Sequence, residues 1–305
     1  MVDVVLLGCG GNMPMPNRFL SSLFINYKGH KILIDCGEGT QVSMRMKNCG
    51  FKDIDLICIT HIHGDHINGI IGLLSTIGNS GRTDDLTIIG PKGIIETINA
   101  IRILVEYLPY KLNIIENPAG SFSLNNKNLK DIIISTVELD HSTECLGYSL
   151  YFKRSPKFNI EKAVHNNVPK ILWNKLQSGQ NIILDNKPYS PDMVLGDDRK
   201  GIKVSFITDT RPIDCIPNFI KESDLFICEA MYGDDLEISK AVKNHHMTFR
   251  EAATLAKLGS VKKLLLTHFS PSLENPNVYI ENATNVFKDT IIGEDRLEIN
   301  LKFED

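Results

Sequence analysis

The most chemically suggestive part of the chain is the segment 60–69, which carries three histidines and one aspartate within six positions: His61, His63, Asp65 and His66. The whole chain has only nine histidines. Neutral imidazole is the commonest nitrogen ligand of zinc-like ions, and a neighbouring carboxylate suits Zn, Mn or Fe. A polar turn that is rich in histidine by chance would rarely be so dense. The spacing therefore predicts a metal site.

Other candidate ligands and acid/base groups directly follow short apolar runs elsewhere in the chain: His141, Asp209, Glu229 and His268. Runs of this kind are typical of buried strands. Because ligands of open α/β sheets gather at the carboxyl ends of the strands, we expect these side chains to meet the histidine cluster in one cleft.

Seven of these residues form a set that is too large for one ion and suits two. The predicted partition gives each ion three ligands of its own and one shared carboxylate: His61, His63 and His141 for the first, Asp65, His66 and His268 for the second, and Asp209 for both. Two ions about 3.5–4 Å apart can stabilise both the attacking and the leaving oxygen of an in-line displacement, and they make hydroxide available near neutral pH. Hydrolysis by metal-activated hydroxide is the expected chemistry.

The elements around the cluster must position it. The run 55–60 is nearly all apolar and predicts a buried strand, and Ile67, Ile70 and Leu74 follow at helical spacing, so the cluster is expected on a strand-to-helix turn. Further strand candidates are 2–7, 31–35, 86–89, 132–139, 148–152, 203–208, 225–228 and 263–267, and helices are expected to begin near Thr40, Ile67, Lys92, Thr248 and Tyr279. Strands interleaved with helices over this length favour a layered α/β fold.

Length and composition set the broad class. With 305 residues and 42% hydrophobic content, the chain is expected to form a single domain, 1–305, without a membrane helix, because no apolar run approaches the roughly 20 residues needed. The start of the chain resembles a lipoprotein cleavage box, but Asp3 and the short apolar stretch favour a first strand. Seven cysteines without a Cys-x-x-Cys pair favour free thiols in the cytoplasm.

Charge is unevenly distributed along the chain. The segment 151–203 contains ten Lys/Arg against five Asp/Glu, a net +5, within a chain of formal net charge −4. A local excess of positive charge can dock a phosphate backbone even on an acidic body, although a solvated lysine-rich surface has the same composition. Because residues 153–202 are polar and poorly periodic, we expect them to form a protruding basic arm within the single domain.

The segment 61–66 meets in full the motif His-x-His-x-Asp-His, and the chain thereby resembles the metallo-β-lactamase superfamily. Within it, the chain is most similar over nearly its whole length to the ribonuclease Z family. The segments that carry this resemblance are Asp-Cys-Gly-Glu-Gly-Thr-Gln at 35–41, Gly-Arg-Thr at 81–83, Gly-Pro-Lys-Gly at 90–93, Val-Leu-Gly at 194–196, Asp-Thr-Arg-Pro at 209–212 and Leu-Thr-His-Phe-Ser at 266–270. The resemblance implies an αββα sandwich with a two-metal cleft, and an endonuclease that trims the 3′ end of precursor tRNA.

The resemblance also implies roles for three residues. Glu229 would orient His246, His246 would protonate the leaving ribose oxygen, and Asp65 would serve both as metal ligand and as proton acceptor for the attacking water. A capping box at Thr248–Glu251 explains Thr248 without catalysis. The chain departs from the family pattern at Cys228 and Met231, in the arm tip 167–170, and in the segment 270–273 that lacks an arginine.

Two other functions stay open at this level. One is a two-metal hydrolase of another small phosphodiester or of a thioester, and thioester hydrolysis would not need His246. The other is a scaffold without activity that binds RNA or a partner through the arm. The family resemblance further implies a homodimer. The metal is expected to be Zn, with Mn or Fe as alternatives, because the same ligands accept all three.

Overall fold

The computed structural model describes residues 1–105, 107–126 and 128–304. Within these residues the strands are β1 (Val2–Gly8), β2 (Ser22–Tyr27), β3 (His30–Ile34), β4 (Ile54–Cys58), β5 (Leu86–Gly90), β6 (Leu112–Glu116), β7 (Gly120–Phe122), β8 (Ile132–Glu138), β9 (Leu146–Arg154), β10 (Ile182–Leu184), β11 (Lys187–Tyr189), β12 (Arg199–Ile207), β13 (Leu225–Glu229), β14 (Leu264–Thr267), β15 (Thr290–Ile292) and β16 (Leu297–Leu301).

The α-helices of the same residues are α1 (Thr40–Lys47), α2 (Gly64–Ile67), α3 (Ile70–Asn79), α4 (Ile94–Arg102), α5 (Ile160–His165), α6 (Trp173–Gln177), α7 (Cys215–Phe219), α8 (Ile238–Asn244), α9 (Phe249–Leu258) and α10 (Ile280–Thr284). None of them is long and apolar enough to span a membrane. Short 3₁₀ turns lie at 170–172, 191–193, 235–237 and 276–279.

Two seven-stranded mixed sheets form the larger unit, which comprises residues 1–152 and 202–302. The first has the order β16-β1-β2-β3-β4-β5-β6 and is parallel from β3 to β6. The second has the order β15-β14-β13-β12-β9-β8-β7 and is parallel from β12 to β15. Parallel strands are buried on both faces, which explains why β4, β5, β13 and β14 consist almost entirely of buried residues.

Helices cover the outer faces of the two sheets. Met44 of α1, Leu73 of α3 and Ile98 of α4 belong to the apolar core of the first sheet. On the second sheet, α9 buries Ala252, Ala253 and Ala256 and contacts β13 and β14. The sheets contact each other directly, since the Tyr148 hydroxyl donates to the Ile59 carbonyl at 2.7 Å. The predicted αββα sandwich is confirmed.

The predicted helix near Ile67 is divided in two. A single turn, α2, begins at Gly64, and α3 starts again at Ile70. Gly69 lies at the break because the chain passes close to another loop there: a Cβ on Gly69 would lie 2.2 Å from the Gly37 carbonyl oxygen. Because of this break, Asp65 and His66 lie within the separate single-turn helix α2, whereas the prediction placed them just before the start of one long helix.

The segment 153–201, together with residues 303 and 304, forms a second compact unit. It contains α5, α6 and the hairpin of β10 and β11. A small apolar core holds it together: Ala163, Val168, Leu172, Leu176, Tyr189 and Val194. Trp173 lies beside this core and donates its indole N–H to the Val168 carbonyl at 3.0 Å. The assignment of this unit as an arm within one domain stays a prediction.

Candidate metal centre and active site

Four side chains converge after strands β4, β8 and β12. The Nε2 atom of His61 lies 3.1 Å from Nδ1 of His63, and Nε2 of His141 lies 3.2 Å from that same Nδ1 atom. Asp209 approaches with Oδ2, which is 3.6 Å from His61 Nε2 and 3.8 Å from His141 Nε2. This group matches the four ligands predicted for the first ion, and its ligand atoms all lie within 4.8 Å of one another.

A second group forms on the other side of Asp209. Its Oδ1 atom lies 3.3 Å from His66 Nε2 and 3.2 Å from His268 Nε2. Oδ2 of Asp65 lies 3.5 Å and 3.4 Å from the same two nitrogens. Burial opposes ionisation of Asp209, but the imidazoles of His268, His66 and His61 hold the pKa of this carboxyl well below its usual range. The two oxygens of one carboxylate therefore face different sets of ligands.

The donor set fits a pair of divalent cations. Ligands about 2.0–2.1 Å from a tetrahedral ion lie about 3.3 Å apart, and the separations between the neighbouring ligand atoms are 3.1–3.8 Å. Buried imidazole nitrogens and carboxylate oxygens are the ligands that such ions prefer. The structure groups His61, His63 and His141 with Asp209, and it groups Asp65, His66 and His268 separately. It also places His246 close enough to Asp209 and His268 for these three to form a third group. The assignment of the ligands to two ions stays a prediction.

Asp35 orients two of the imidazoles, a role that sequence analysis did not assign to it. Its Oδ2 accepts the Nδ1 proton of His66 at 2.7 Å, and its two oxygens receive the Thr60 hydroxyl at 3.0 and 2.8 Å. The Thr60 oxygen in turn lies 3.1 Å from Nδ1 of His61. An ionised Asp35 can only accept, so this series of hydrogen bonds places the ring protons of His61 and His66 on their Nδ1 atoms. The Nε2 lone pairs of the two rings are then free to bind metal, one in each ligand group. Its one sequence signal was its place in the 35–41 motif.

Three residues of the centre have left-handed backbone conformations within two residues of the end of a strand. The φ angles are +60° at Asp35, +51° at Asp209 and +59° at His268. Residues other than glycine rarely adopt this region, and each such position costs about 1–3 kcal/mol. The sharp corner after each strand turns the side chain towards the centre, and the surrounding hydrogen bonds hold it there.

A buried acid and a histidine lie beside the second group of ligands. Glu229 ends β13 and is fully buried; its Oε1 accepts the Thr210 amide at 2.6 Å and its Oε2 accepts the Met247 amide at 3.1 Å. Nδ1 of His246 lies 3.1 Å from Oε1 of Glu229. Burial lowers the pKa of His246, but the charge and hydrogen bond of Glu229 outweigh it and raise this pKa to about 9. The Glu229 carboxylate therefore favours the charged form of His246.

Two other histidines lie outside both ligand groups. His245 is half-exposed, lines the cleft and pairs with Asp140 at 3.2 Å, while His30 pairs with Asp55 at 2.8 Å away from the cleft. Of the two departures from the family motif, Cys228 is buried and Met231 lines the cleft. The cleft has a volume of about 490 Å³ and is open to solvent.

Gly11 packs against a ligand of the second group. A Cβ at this position would lie 2.5 Å from Cε1 and 2.6 Å from Nε2 of His268. We expect Gly11→Ala to displace the imidazole and to weaken binding of the second metal ion by about tenfold, because mutation of the residues that orient a metal ligand typically costs about 10–100-fold in affinity. Metal per chain, measured by inductively coupled plasma mass spectrometry against a graded chelator, checks this.

Gly196→Ala is the matched control for this substitution, because its Cβ would make only an ordinary contact, 3.4 Å from the Lys157 carbonyl oxygen. It should bind metal like the unmodified chain. Unchanged metal affinity in Gly11→Ala would show that the loop 10–12 yields instead of His268.

Comparison with known proteins places this site in a family. The chain is 73% identical over 305 residues to ribonuclease Z of Clostridioides difficile (strain 630) and 62% identical over 307 residues to that of Clostridium beijerinckii, in each case over 100% of both chains. A family model described as anti-Pycsar protein Apyc1 matches residues 2–98.

Solved structures agree with these relatives. The short form of human tRNase Z has a TM-score of 0.70 at 25% identity and covers 99% of this chain and 100% of its own. The metallo-β-lactamase fold protein YhfI of Bacillus subtilis also has a TM-score of 0.70, at 18% identity, over 98% of this chain and 100% of its own, which shows the fold alone. The predicted resemblance is confirmed, and the chain belongs to the ribonuclease Z family, with the metallo-β-lactamase fold.

Proposed function

We propose that this chain is a metal-dependent endoribonuclease that processes the 3′ end of precursor tRNA. The observation that carries the proposal is the meeting of seven metal-type ligands and the Glu229–His246 pair at the base of one open cleft, which His63, Asp65, His141, Asp209, His246 and His268 line directly. Full-length relatives with the name ribonuclease Z and the structural likeness to human tRNase Z support the choice of substrate.

Each group of residues has a role in the proposed reaction. His61, His63 and His141 would hold one ion, Asp65, His66 and His268 the other, and Asp209 both. When bound, the ions would supply an activated water and positive charge for the scissile phosphate. Zinc is the proposed metal, since histidine-rich sites suit it, with Mn or Fe as alternatives.

Two proton transfers fall to the side chains of this cleft. Asp65 would accept a proton from the attacking water; its Oδ2 is fixed by the Asn12 amide at 2.6 Å. His246 would donate a proton to the leaving 3′ oxygen of ribose. That oxygen is a poor leaving group as an alkoxide, so a protonated imidazole at this position is worth about 10²–10⁴-fold in rate. Glu229 would keep the imidazole charged and fix its direction.

The second compact unit would supply the grip on tRNA. Its excess of lysine and arginine suits the phosphate backbone, and RNA helices are read mainly by shape and backbone contacts. We further propose that the protein acts as a homodimer in the cytoplasm. The seven free cysteines support a reducing compartment. Sedimentation velocity of the purified protein tests the dimer.

Incubation of the metal-loaded protein with a precursor tRNA, in parallel with bis(p-nitrophenyl) phosphate, tests the function. We expect one cut at the 3′ side of the tRNA body, and we expect Asp65→Ala to abolish it because Asp65 is both a ligand and a proton acceptor. Product ends mapped by primer extension and sequencing check the result. Turnover of the small diester with no cut in tRNA would contradict the proposed substrate and favour another phosphodiester.

A further inference from the structure

We infer that Arg211 is a positioning residue for the proton donor His246, and that Glu251 anchors it; the inference rests on the proposed nuclease function. Arg211 lies two residues after the shared ligand Asp209, in the loop that follows β12. The side chains of Arg211 and Glu251 are 17% and 21% exposed, so this pair is largely shielded from water.

The guanidinium group makes two kinds of contact. Nη1 donates to the backbone carbonyl of His246 and, at 3.1 Å, to Oε2 of Glu251. Nη2 donates to Oε1 of the same carboxylate. Two parallel N–H donors on one carboxylate form the bidentate geometry that a planar guanidinium favours and that a lysine cannot reproduce. The carbonyl of His246 is thereby tied to a rigid fork.

Glu251 is itself held in place by the start of α9. Its Oε2 accepts the Thr248 amide at 3.0 Å, and its own amide donates to the Thr248 hydroxyl at 3.3 Å, which together form a capping box. The capping box was predicted from sequence as a structural role for Thr248. It also fixes the Glu251 carboxylate that accepts hydrogen bonds from Arg211.

The backbone around Arg211 contacts the other elements of the site. The Arg211 amide donates to the Asp140 carbonyl at 3.1 Å, next to the ligand His141, and the Asp140 amide donates to the Thr210 hydroxyl at 3.0 Å. The Thr210 amide donates to Glu229. Residues 210 and 211 therefore hold His246 at two points. The Thr210 amide binds Glu229, which fixes the ring of His246, and the Arg211 side chain binds the backbone carbonyl of His246.

This arrangement predicts an effect that depends on the leaving group. Misplacement of a catalytic group by about 1 Å can cost about 10²-fold in rate. A ribose alkoxide needs the proton from His246, whereas p-nitrophenolate leaves without one. Loss of the Arg211 fork should therefore reduce cleavage of RNA much more than turnover of bis(p-nitrophenyl) phosphate. A merely structural role would lower both equally.

The experiment compares Arg211→Ala and Arg211→Lys with the control Arg250→Ala. Arg250 lies on the same helix as Glu251, and its exposed side chain pairs with Asp235 at 2.6 Å. We expect kcat for precursor tRNA to fall about 10²-fold in Arg211→Ala, with kcat for the small diester within about threefold and metal content unchanged. Arg211→Lys should recover only part of the loss, and Arg250→Ala should match the unmodified protein on both substrates.

Equal losses on both substrates, or undiminished RNA cleavage in Arg211→Ala, would overturn the inference. If Arg211→Ala folds poorly, Glu251→Gln gives the same contrast, because glutamine keeps an acceptor for the helix cap and removes the charge that pairs with Arg211.

A proton NMR readout separates this inference from the proposed function. The Nδ1 proton of His246, assigned by its absence in His246→Ala, should shift or broaden in Arg211→Ala even if the protein cuts no tRNA, and an unchanged signal would also overturn the inference.

Discussion

Replacement of Asp209 by alanine is expected to lower turnover of precursor tRNA and of bis(p-nitrophenyl) phosphate by about 10³-fold, the upper range for removal of one electrostatic group from an active site. The reason is the division of its carboxylate. Oδ1 faces His66 and His268, and Oδ2 faces His61 and His141, so one substitution removes a ligand from both groups. Each of the other six ligands serves only one ion in this arrangement.

Metal analysis separates this effect from unfolding. We expect the number of ions per Asp209→Ala chain to fall from two to one or fewer, with a far-ultraviolet circular dichroism spectrum like that of the unmodified protein. Asp214→Ala is the matched control, because Asp214 is an exposed carboxylate in the same loop with no place in either ligand group. Two ions retained together with normal turnover in Asp209→Ala would show that the carboxylate does not bridge.

Replacement of His246 by alanine is expected to reduce kcat for precursor tRNA by about 10²–10⁴-fold, the range for loss of a positioned general acid. Burial lowers the pKa of this imidazole, but the buried carboxylate of Glu229 outweighs it and raises the pKa to about 9, which favours the proton-donating form. Because His246 is absent from both predicted ligand sets, two ions should still bind. Turnover of bis(p-nitrophenyl) phosphate should fall far less, since p-nitrophenolate needs no proton to leave.

The neighbouring histidine provides the control for this prediction. His245→Ala removes a half-exposed imidazole whose ring pairs with Asp140 at 3.2 Å, and it should cleave RNA within about threefold of the unmodified protein. Single-turnover kinetics with metal content measured on the same samples distinguishes the two variants. If His245→Ala were as slow as His246→Ala, the assignment of His246 as the general acid would be contradicted. If His246→Ala lost metal, His246 would be a metal ligand instead.

Sequence patterns identified the candidate ligands that the structure brings together, because each lies next to a local signal. The cluster 61–66 is continuous, His268 directly follows β14, and Asp209 lies two residues after β12. The capping box at Thr248 and Glu251 is also local, and the structure contains it. Four-residue patterns of this kind need no knowledge of distant chain segments.

Contacts between distant segments carried no such signal. The pair of Arg211 and Glu251 is separated by 40 residues, and Asp35 lies 31 residues from the His66 ring that it orients. Strand β2 was missed although its residues are almost all buried, because a six-residue run without clear periodicity is ambiguous between strand and helix. The helices and hairpin of 153–201 were missed for the same reason, since each is too short to display a period.

The left-handed backbone conformations at Asp35, Asp209 and His268 restrict which residue types can replace these three residues during evolution. Aspartate, asparagine, histidine and glycine tolerate positive φ, whereas valine, isoleucine and threonine do so only at high cost. A homologue that no longer binds metal would not need these side chains for chemistry, but its backbone would still restrict the residue types at these positions. Aspartate, asparagine or glycine there can therefore reflect the fold alone. For this reason identity at these three positions is weaker evidence of activity than identity at His61 or His63.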